Sequence, residues 1–405
     1  MVRIRNSNLT DALMCVFLIV VLAFRDYSTA VNALSFVLLA WMLAHIVSSG
    51  KLKREIANFA VYKSLFVVLS MLSSLWAPNT EIAHLCSSML QRLMICLCVL
   101  LYINSEDNLR KTIRFLIAGA AVLCLRMLVV VPTNVWGTSR VGVYLAHDPS
   151  NSYGNTGITY VLGVVSAIMI ADRRALFCPK RLQPVLIVVY ILFSLMSGSK
   201  KQVFILLIAF FFVTIYYANN PLVRARNLLL FIVAFFVVRY LLYNVPILYN
   251  AIGYRMESFL SFWGESGSAN MKDLSTISRI SFLQDASMVF LSHPFLGVGI
   301  DSFKFYNTYQ FTWAECNYLE LLADLGGIGF ILYYIPHMRI VIHLRNYGKG
   351  KDPVWIIMVT LFAVLAFIDL TMVTYNVVSL QIYLAIVYGY CMICTGDKKG
   401  TTENG

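Results

Sequence analysis

The residues best equipped for chemistry lie between His293 and Gly329. There His-Pro-Phe-Leu-Gly-Val-Gly-Ile-Asp-Ser-Phe is followed by Thr-Trp-Ala-Glu-Cys-Asn-Tyr-Leu-Glu-Leu-Leu-Ala-Asp-Leu-Gly-Gly-Ile-Gly. One carboxylate, Glu315, falls where this polar loop gives way to an apolar helix. A positioned glutamate can take the proton of an attacking hydroxyl, assistance that contributes about 10²-fold to 10⁴-fold. Candidate cations on the same side of the chain, by the topology set out below, are Arg140, Lys200, Lys201, Arg255, Arg279 and Lys304. Arginine presents a planar fork that matches phosphate oxygens, and lysine a compact point charge. Each residue also has a plainer reading. Glu315 can face the positive end of the helix that follows it. Arg279 can pair with Glu257, Glu265 or Asp285, and the two adjacent lysines can anchor a span at the interface.

Composition dictates what positions these groups. The chain has 405 residues, of which 59% are hydrophobic and 13% charged, and its mean hydropathy is +0.74. A soluble domain carries about 25% charged residues, so this chain is read as an all-α polytopic membrane protein. The formal net charge of +12 resides largely in short loops between apolar runs, where membrane topology demands Lys and Arg. Nucleic acid is therefore not an expected partner. The nine cysteines lie mostly inside apolar runs without metal-ligand spacing to histidine, as small buried hydrophobes do. No metal site and no cofactor is expected.

Apolar windows near spanning length fall at 9–25, 29–47, 57–76, 84–103, 112–132, 154–172, 182–198, 200–218, 227–247, 316–336, 353–372 and 375–394. They predict about twelve transmembrane helices. The first lacks a small-residue cleavage site and is expected to be retained. Lys and Arg recur in alternate loops, at Arg3/Arg5, Lys51/Lys53/Arg54, Arg110/Lys111, Arg173/Arg174, Arg224/Arg226, Arg339/Arg345 and Lys398/Lys399. This asymmetry places both termini in the cytoplasm. It leaves two larger loops outside, 133–153 and about 248–315, and the second is too long to be a mere connection. The expected parts are thus 1–247 with nine spans, 248–315 as an extracytoplasmic loop between spans nine and ten, and 316–405 with three spans and a cytoplasmic tail.

Within the long loop, Ile280 to Leu291 can form a helix on the bilayer surface or against the bundle. His293-Pro294 ends it, and Gly297 and Gly299 allow a tight turn before the chain re-enters. His293 is either a second base or simply a turn residue. Two arginines fall inside spans, Arg92 and Arg126, where exposure to lipid would cost about 2.5 to 3.5 kcal/mol. They must face the interior, a partner or water, and pairing with Asp369, Glu320 or Asp324 would satisfy them.

Ser197-Gly-Ser-Lys-Lys, Arg279, the His293-Pro-Phe-Leu-Gly-Val-Gly turn and the Asn317-Tyr-Leu-Glu helix start with its Gly326-Gly-Ile-Gly together resemble the O-antigen ligase and polymerase superfamily of bacterial envelope glycosyltransferases. In that register Glu315-Cys316 stands where the ligases carry a histidine, and Ser199-Lys200 where they carry Ser-Arg. The departures favour a repeat-unit polymerase over a ligase. The resemblance implies transfer of glycan from a polyprenyl-diphosphate carrier to an acceptor sugar hydroxyl, metal-independent and inverting, on the periplasmic side of the bacterial inner membrane. It implies Glu315 and Arg279 as catalytic residues. Arg140, Lys200, Lys201, Arg255, Arg92 and Arg126 then become candidate diphosphate or glycan contacts. The lipid-linked oligosaccharide and membrane lipids are the implied partners, with a chain-length regulator as a candidate third. A ligase that loads glycan onto a lipid core is the near alternative. A transporter of lipid-linked oligosaccharide, which would bind at mid-membrane, is the other.

Overall fold

The computed structural model describes residues 2–402 apart from 26, 50–52, 135, 137–142, 146–147, 154, 219, 247–248, 254–273, 309–311 and 348–351. The helices are α1 Val2–Ala23, α2 Ser28–Ser49, α3 Arg54–Leu72, α4 Ile82–Tyr102, α5 Glu106–Val130, α6 Val164–Ala171, α7 Gln183–Met196, α8 Lys201–Tyr216, α9 Pro221–Asn244, α10 Leu274–Ser292, α11 Asn317–Tyr347, α12 Pro353–Asp369 and α13 Val378–Thr402. A short antiparallel ribbon, Val143–Leu145 with Asp148–Tyr153, interrupts the helices. Among the described residues six helices are long and apolar enough to cross a membrane, and six shorter apolar helices accompany them. Together they coincide with the apolar windows read from the sequence. Large apolar side chains stand exposed along them, among them Leu125, Val129, Leu222 and Leu229. Lipid, rather than water, is the solvent those faces fit.

The described residues form two compact units. The first comprises residues 1–34, 107–273 and 348–364, and the second 35–106, 274–347 and 365–405. In the first, α6 and α9 pack on α8, and a π-helical turn, Thr159–Gly163, leads into α6 and rests on α7. That turn comes close to α8 because residue 163 is glycine: a Cβ there would lie 2.1 Å from Gln202 Oε1. Gln202 Oε1 in turn accepts a hydrogen bond from Ser194 Oγ (2.8 Å), so the crowding is set by a satisfied buried amide oxygen.

In the second unit α3 packs on α4 and on α11, and α13 packs on α4 and α11. The segment expected at Ile280 to Leu291 is the helix α10. Its Phe282, Ala286 and Val289 are buried at helical spacing, and Ala286 and Val289 cluster with Val298, Phe303, Ala314 and Ala323. The opposite side leaves Met288 and Leu291 exposed. Of the two placements open from the sequence, packing against the bundle holds for one face of this helix.

Helix α11 is broken near its start: Gly326 adopts φ 62° and ψ −166°, outside the helical region. The loop after α10 fills the break backbone against backbone. Val298 N–H donates to Ala323 O (3.0 Å), Gly299 N–H to Asp324 O (2.7 Å) and Gly327 N–H to Pro294 O (2.8 Å). A Cβ on Gly297 would lie 2.3 Å from the Asp324 carbonyl, and one on Gly326 2.3 Å from the Phe295 carbonyl. The two glycine motifs of the sequence are thus the two halves of one clamp.

Candidate functional site

The clamp carries a cap of buried carboxylates. Asp324, wholly buried, accepts the backbone N–H groups of Asp301 (2.7 Å), Ser302 (3.0 Å) and Phe303 (2.8 Å), which fixes the turn after Gly299. Asp301, held there at φ 55°, accepts Lys304 Nζ (2.7 Å), Trp313 Nε1 (2.7 Å) and Asn79 Nδ2 (3.1 Å). Glu320 reaches back to accept Ala314 N–H (2.6 Å), while its own N–H donates to Cys316 O (2.9 Å). Both sides of residue 315 are therefore tied down. Glu320 is the acidic residue within the first turn of α11.

Asn317 secures the other end of the junction. Its Oδ1 accepts Thr374 N–H (2.8 Å) and Tyr375 N–H (3.2 Å), and its Nδ2 donates to Tyr334 OH (2.8 Å). Tyr334 and Thr374 both donate to Asp369, at 2.9 and 2.5 Å. Tyr318 stacks on Tyr334, ring centroids 5.0 Å apart and planes 15° from parallel. The Asn-Tyr of the motif is therefore a buried fastening; Cys316 before it is buried as well, and the residue ahead of that cysteine is half exposed.

That residue is Glu315. It sits at φ 51°, in the left-handed region, where a side chain other than glycine costs roughly 1–2 kcal/mol. Its Oε2 meets Arg279 Nε of α10 in a close ion pair. The oxygen is shielded beneath the guanidinium without an aligned hydrogen-bond donor, although the side chain as a whole is 42% exposed and that of Arg279 40%. An ion pair this exposed contributes about 0–1 kcal/mol to folding. The backbone cost is thus not recovered as stability, and strain held by surrounding structure at an accessible charged group marks functional sites.

The sequence named Arg279 and Glu315 separately, and the structure brings them together. Of the partners weighed for Arg279, Asp285 accepts Thr308 N–H (2.9 Å), and Glu257 and Glu265 lie outside the described residues. Arg140 and Arg255 also lie outside them. Lys200 and Lys201 belong to the first unit, where Gly198 (φ 69°) turns the Ser-Gly-Ser-Lys stretch and Lys201 Nζ donates to Tyr160 OH (3.1 Å). His293 is exposed, its Nδ1 2.9 Å from Ser292 Oγ.

The two arginines inside spans face protein, as their cost in lipid requires. Arg126 donates to Ala23 O (2.6 Å) and stacks over Phe24 and Tyr27 in the first unit. Arg92 donates to Asn376 O (2.8 Å) and Ser88 O in the second. A third intramembrane cation, Lys63, is absent from the sequence reading. It lies 8% exposed within α3, donates to Gln381 Oε1 (3.0 Å) and sits 4.2 Å over the Tyr333 ring. A lysine six residues into an apolar window is the signal that was there to be read.

Comparison with known proteins bears on the same stretch. A search of curated proteins finds no match to the chain. Residues 183–334 match the family model described as O-antigen ligase, so the segment holding the clamp, Arg279 and Glu315 is similar to that family, and the resemblance to the O-antigen ligase and polymerase superfamily stands on it.

Proposed function

We propose that this protein is a polymerase of lipid-linked glycan repeats of the O-antigen or a related surface polysaccharide, acting at the periplasmic face of the bacterial inner membrane. The observation that carries the reading is the strained, accessible Glu315 paired with Arg279 inside the family-matched segment. Twelve crossings with both termini cytoplasmic would put this junction outside, where a polyprenyl-diphosphate donor presents its sugar. The Glu315 carboxylate takes the proton of the acceptor hydroxyl as its oxygen bonds to the anomeric carbon. The bond from that carbon to the diphosphate breaks, and its electron pair leaves with the phosphate oxygen. Attack opposite the leaving group inverts the centre. Arg279, forked and permanently charged, can pass from the carboxylate to the diphosphate as the donor arrives, which frees the base and neutralises the leaving group in one movement. Lys200, Lys201, Arg140 and Arg255 are proposed as further contacts to the donor, and a chain-length regulator as a partner.

An O-antigen ligase is the second reading, favoured by the description of the matched family. Support for a transporter is weaker, since Arg92 and Arg126 each find carbonyl oxygens within the protein. Glycans of a deletion strain separate the first two. Single repeats on lipid core identify a missing polymerase, whereas long chains retained on the polyprenyl carrier identify a missing ligase. In the same strain, Arg279→Ala is expected to give lost polymer and accumulated single repeats at normal protein level. Normal chain length would reject the role given to Arg279.

A further inference from the structure

The cation that the sequence reading passed over has an unfinished environment. Lys63 carries three N–H donors. Among the described residues only Gln381 Oε1 accepts one, and Tyr333 offers its ring face to the charge. The ammonium is more than nine-tenths buried, so each remaining donor bears the cost of a buried polar group without a partner. Beside it is a cleft lined by Lys63, Arg92, Cys96, Gln381, Tyr333 and Tyr375 over an apolar floor. Two cations and no carboxylate line this space. The nearest acid in the network, Asp369, lies beyond Gln381 and Thr374, with its oxygens taken by Tyr334 and Thr374.

We infer that this cleft is a binding site for a small inorganic anion of the halide class, held between Lys63 and Arg92. Charge and size select it. A water would fill the donors of Lys63 but leave the positive charge that Lys63 and Arg92 bring to the cleft without a counter-ion among its lining residues, and buried uncompensated charge is costly. An anion completes the hydrogen bonds and supplies the counter-charge at once. The cleft has room for only one or two water-sized guests, which excludes a diphosphate or a sugar. The site is separate from the carboxylate at residue 315 and does not rest on the proposed transferase chemistry. It adjoins it through Tyr375, whose N–H is held by Asn317, so occupancy would also steady the fastening beneath the junction.

The test uses the full-length protein in lipid nanodiscs at fixed ionic strength, with chloride, bromide or the bulky anion gluconate. The thermal unfolding midpoint should rise with the logarithm of chloride or bromide concentration, as for any ligand that binds only the folded state. Gluconate should give no such rise, and Lys63→Met should lose the halide dependence. Midpoints indifferent to the anion, or an unchanged dependence in Lys63→Met, would overturn the site. Should that variant not fold, crystals of the unmodified protein in bromide decide: an anomalous peak between Lys63 and Arg92 supports it, and its absence there rejects it.

Discussion

Cells whose only copy carries Glu315→Gln are expected to make no long glycan while holding the protein at its normal level. Glutamine keeps the length and the hydrogen-bonding oxygen but cannot take a proton, so the loss expected in transfer rate is about 10²-fold to 10⁴-fold. The variant should fold. Neutralising one member of a half-exposed ion pair costs about 0–1 kcal/mol, and the fastenings around the junction run through Glu320, Asn317 and Asp324. The measurement is glycan length against protein abundance in the same membranes. Full-length glycan at normal abundance would remove Glu315 as the base, and with it the strongest support for an enzyme at this junction.

Arg279→Ala separates the two members of the pair. If the arginine serves the leaving diphosphate, its loss slows transfer even though the base remains and is no longer covered. If it only holds Glu315 in place, Arg279→Lys should restore most of the activity, because a point charge suffices to hold a carboxylate, whereas bidentate contact with phosphate needs the fork.

What could be read from the sequence depended on the range of the interaction. Apolar runs of spanning length are local, and the helices fall where those runs predict. The glycines at 297 and 299 were legible as places where the chain must turn, and Gly326 only as part of a motif inside an apolar helix. That they face one another was not, because the contact joins segments about thirty residues apart through backbone atoms, which leave no trace in side-chain pattern. Arg279 and Glu315 were each singled out, but proximity in sequence pointed to other partners for the arginine. Lys63 shows the limit most clearly. Its hydrogen-bond acceptor is Gln381, 318 positions away, and without that knowledge a lysine near the start of an apolar window passes for an interfacial anchor. The left-handed backbone at Glu315 had no signal at all, since turns of that kind ordinarily select glycine or asparagine.

The clamp offers the other large effect, with a control built into the adjacent residue. Gly326→Ala puts a Cβ 2.3 Å from the carbonyl carbon and oxygen of Phe295 and 2.6 Å from the amide nitrogen of Leu296, at φ 62°. Rotating a side chain cannot relieve this, because the atoms met are backbone. That backbone, φ 62° with ψ −166°, is essentially reserved for glycine and costs another residue on the order of 1–3 kcal/mol, and forcing extra volume into packed structure typically costs about 1–3 kcal/mol more. That is a large share of the stability of a folded protein, so the expected result is little or no folded protein in the membrane, with glycan synthesis lost in proportion. Gly327→Ala differs by one residue and predicts the opposite. Its Cβ would meet only Pro294 O, at 3.5 Å, an ordinary contact, on a backbone without positive φ. Alanine there exchanges a flexible helical residue for a better helix former and can stabilise by about 0.5–1 kcal/mol. Equal loss from both substitutions, measured as detergent-extracted monodisperse protein, would mean that helix α11 tolerates no added volume anywhere along this stretch. Loss from Gly326→Ala alone would show that the loop ending α10 is locked to α11 through their backbones, the contact on which the placement of Arg279 against Glu315 depends.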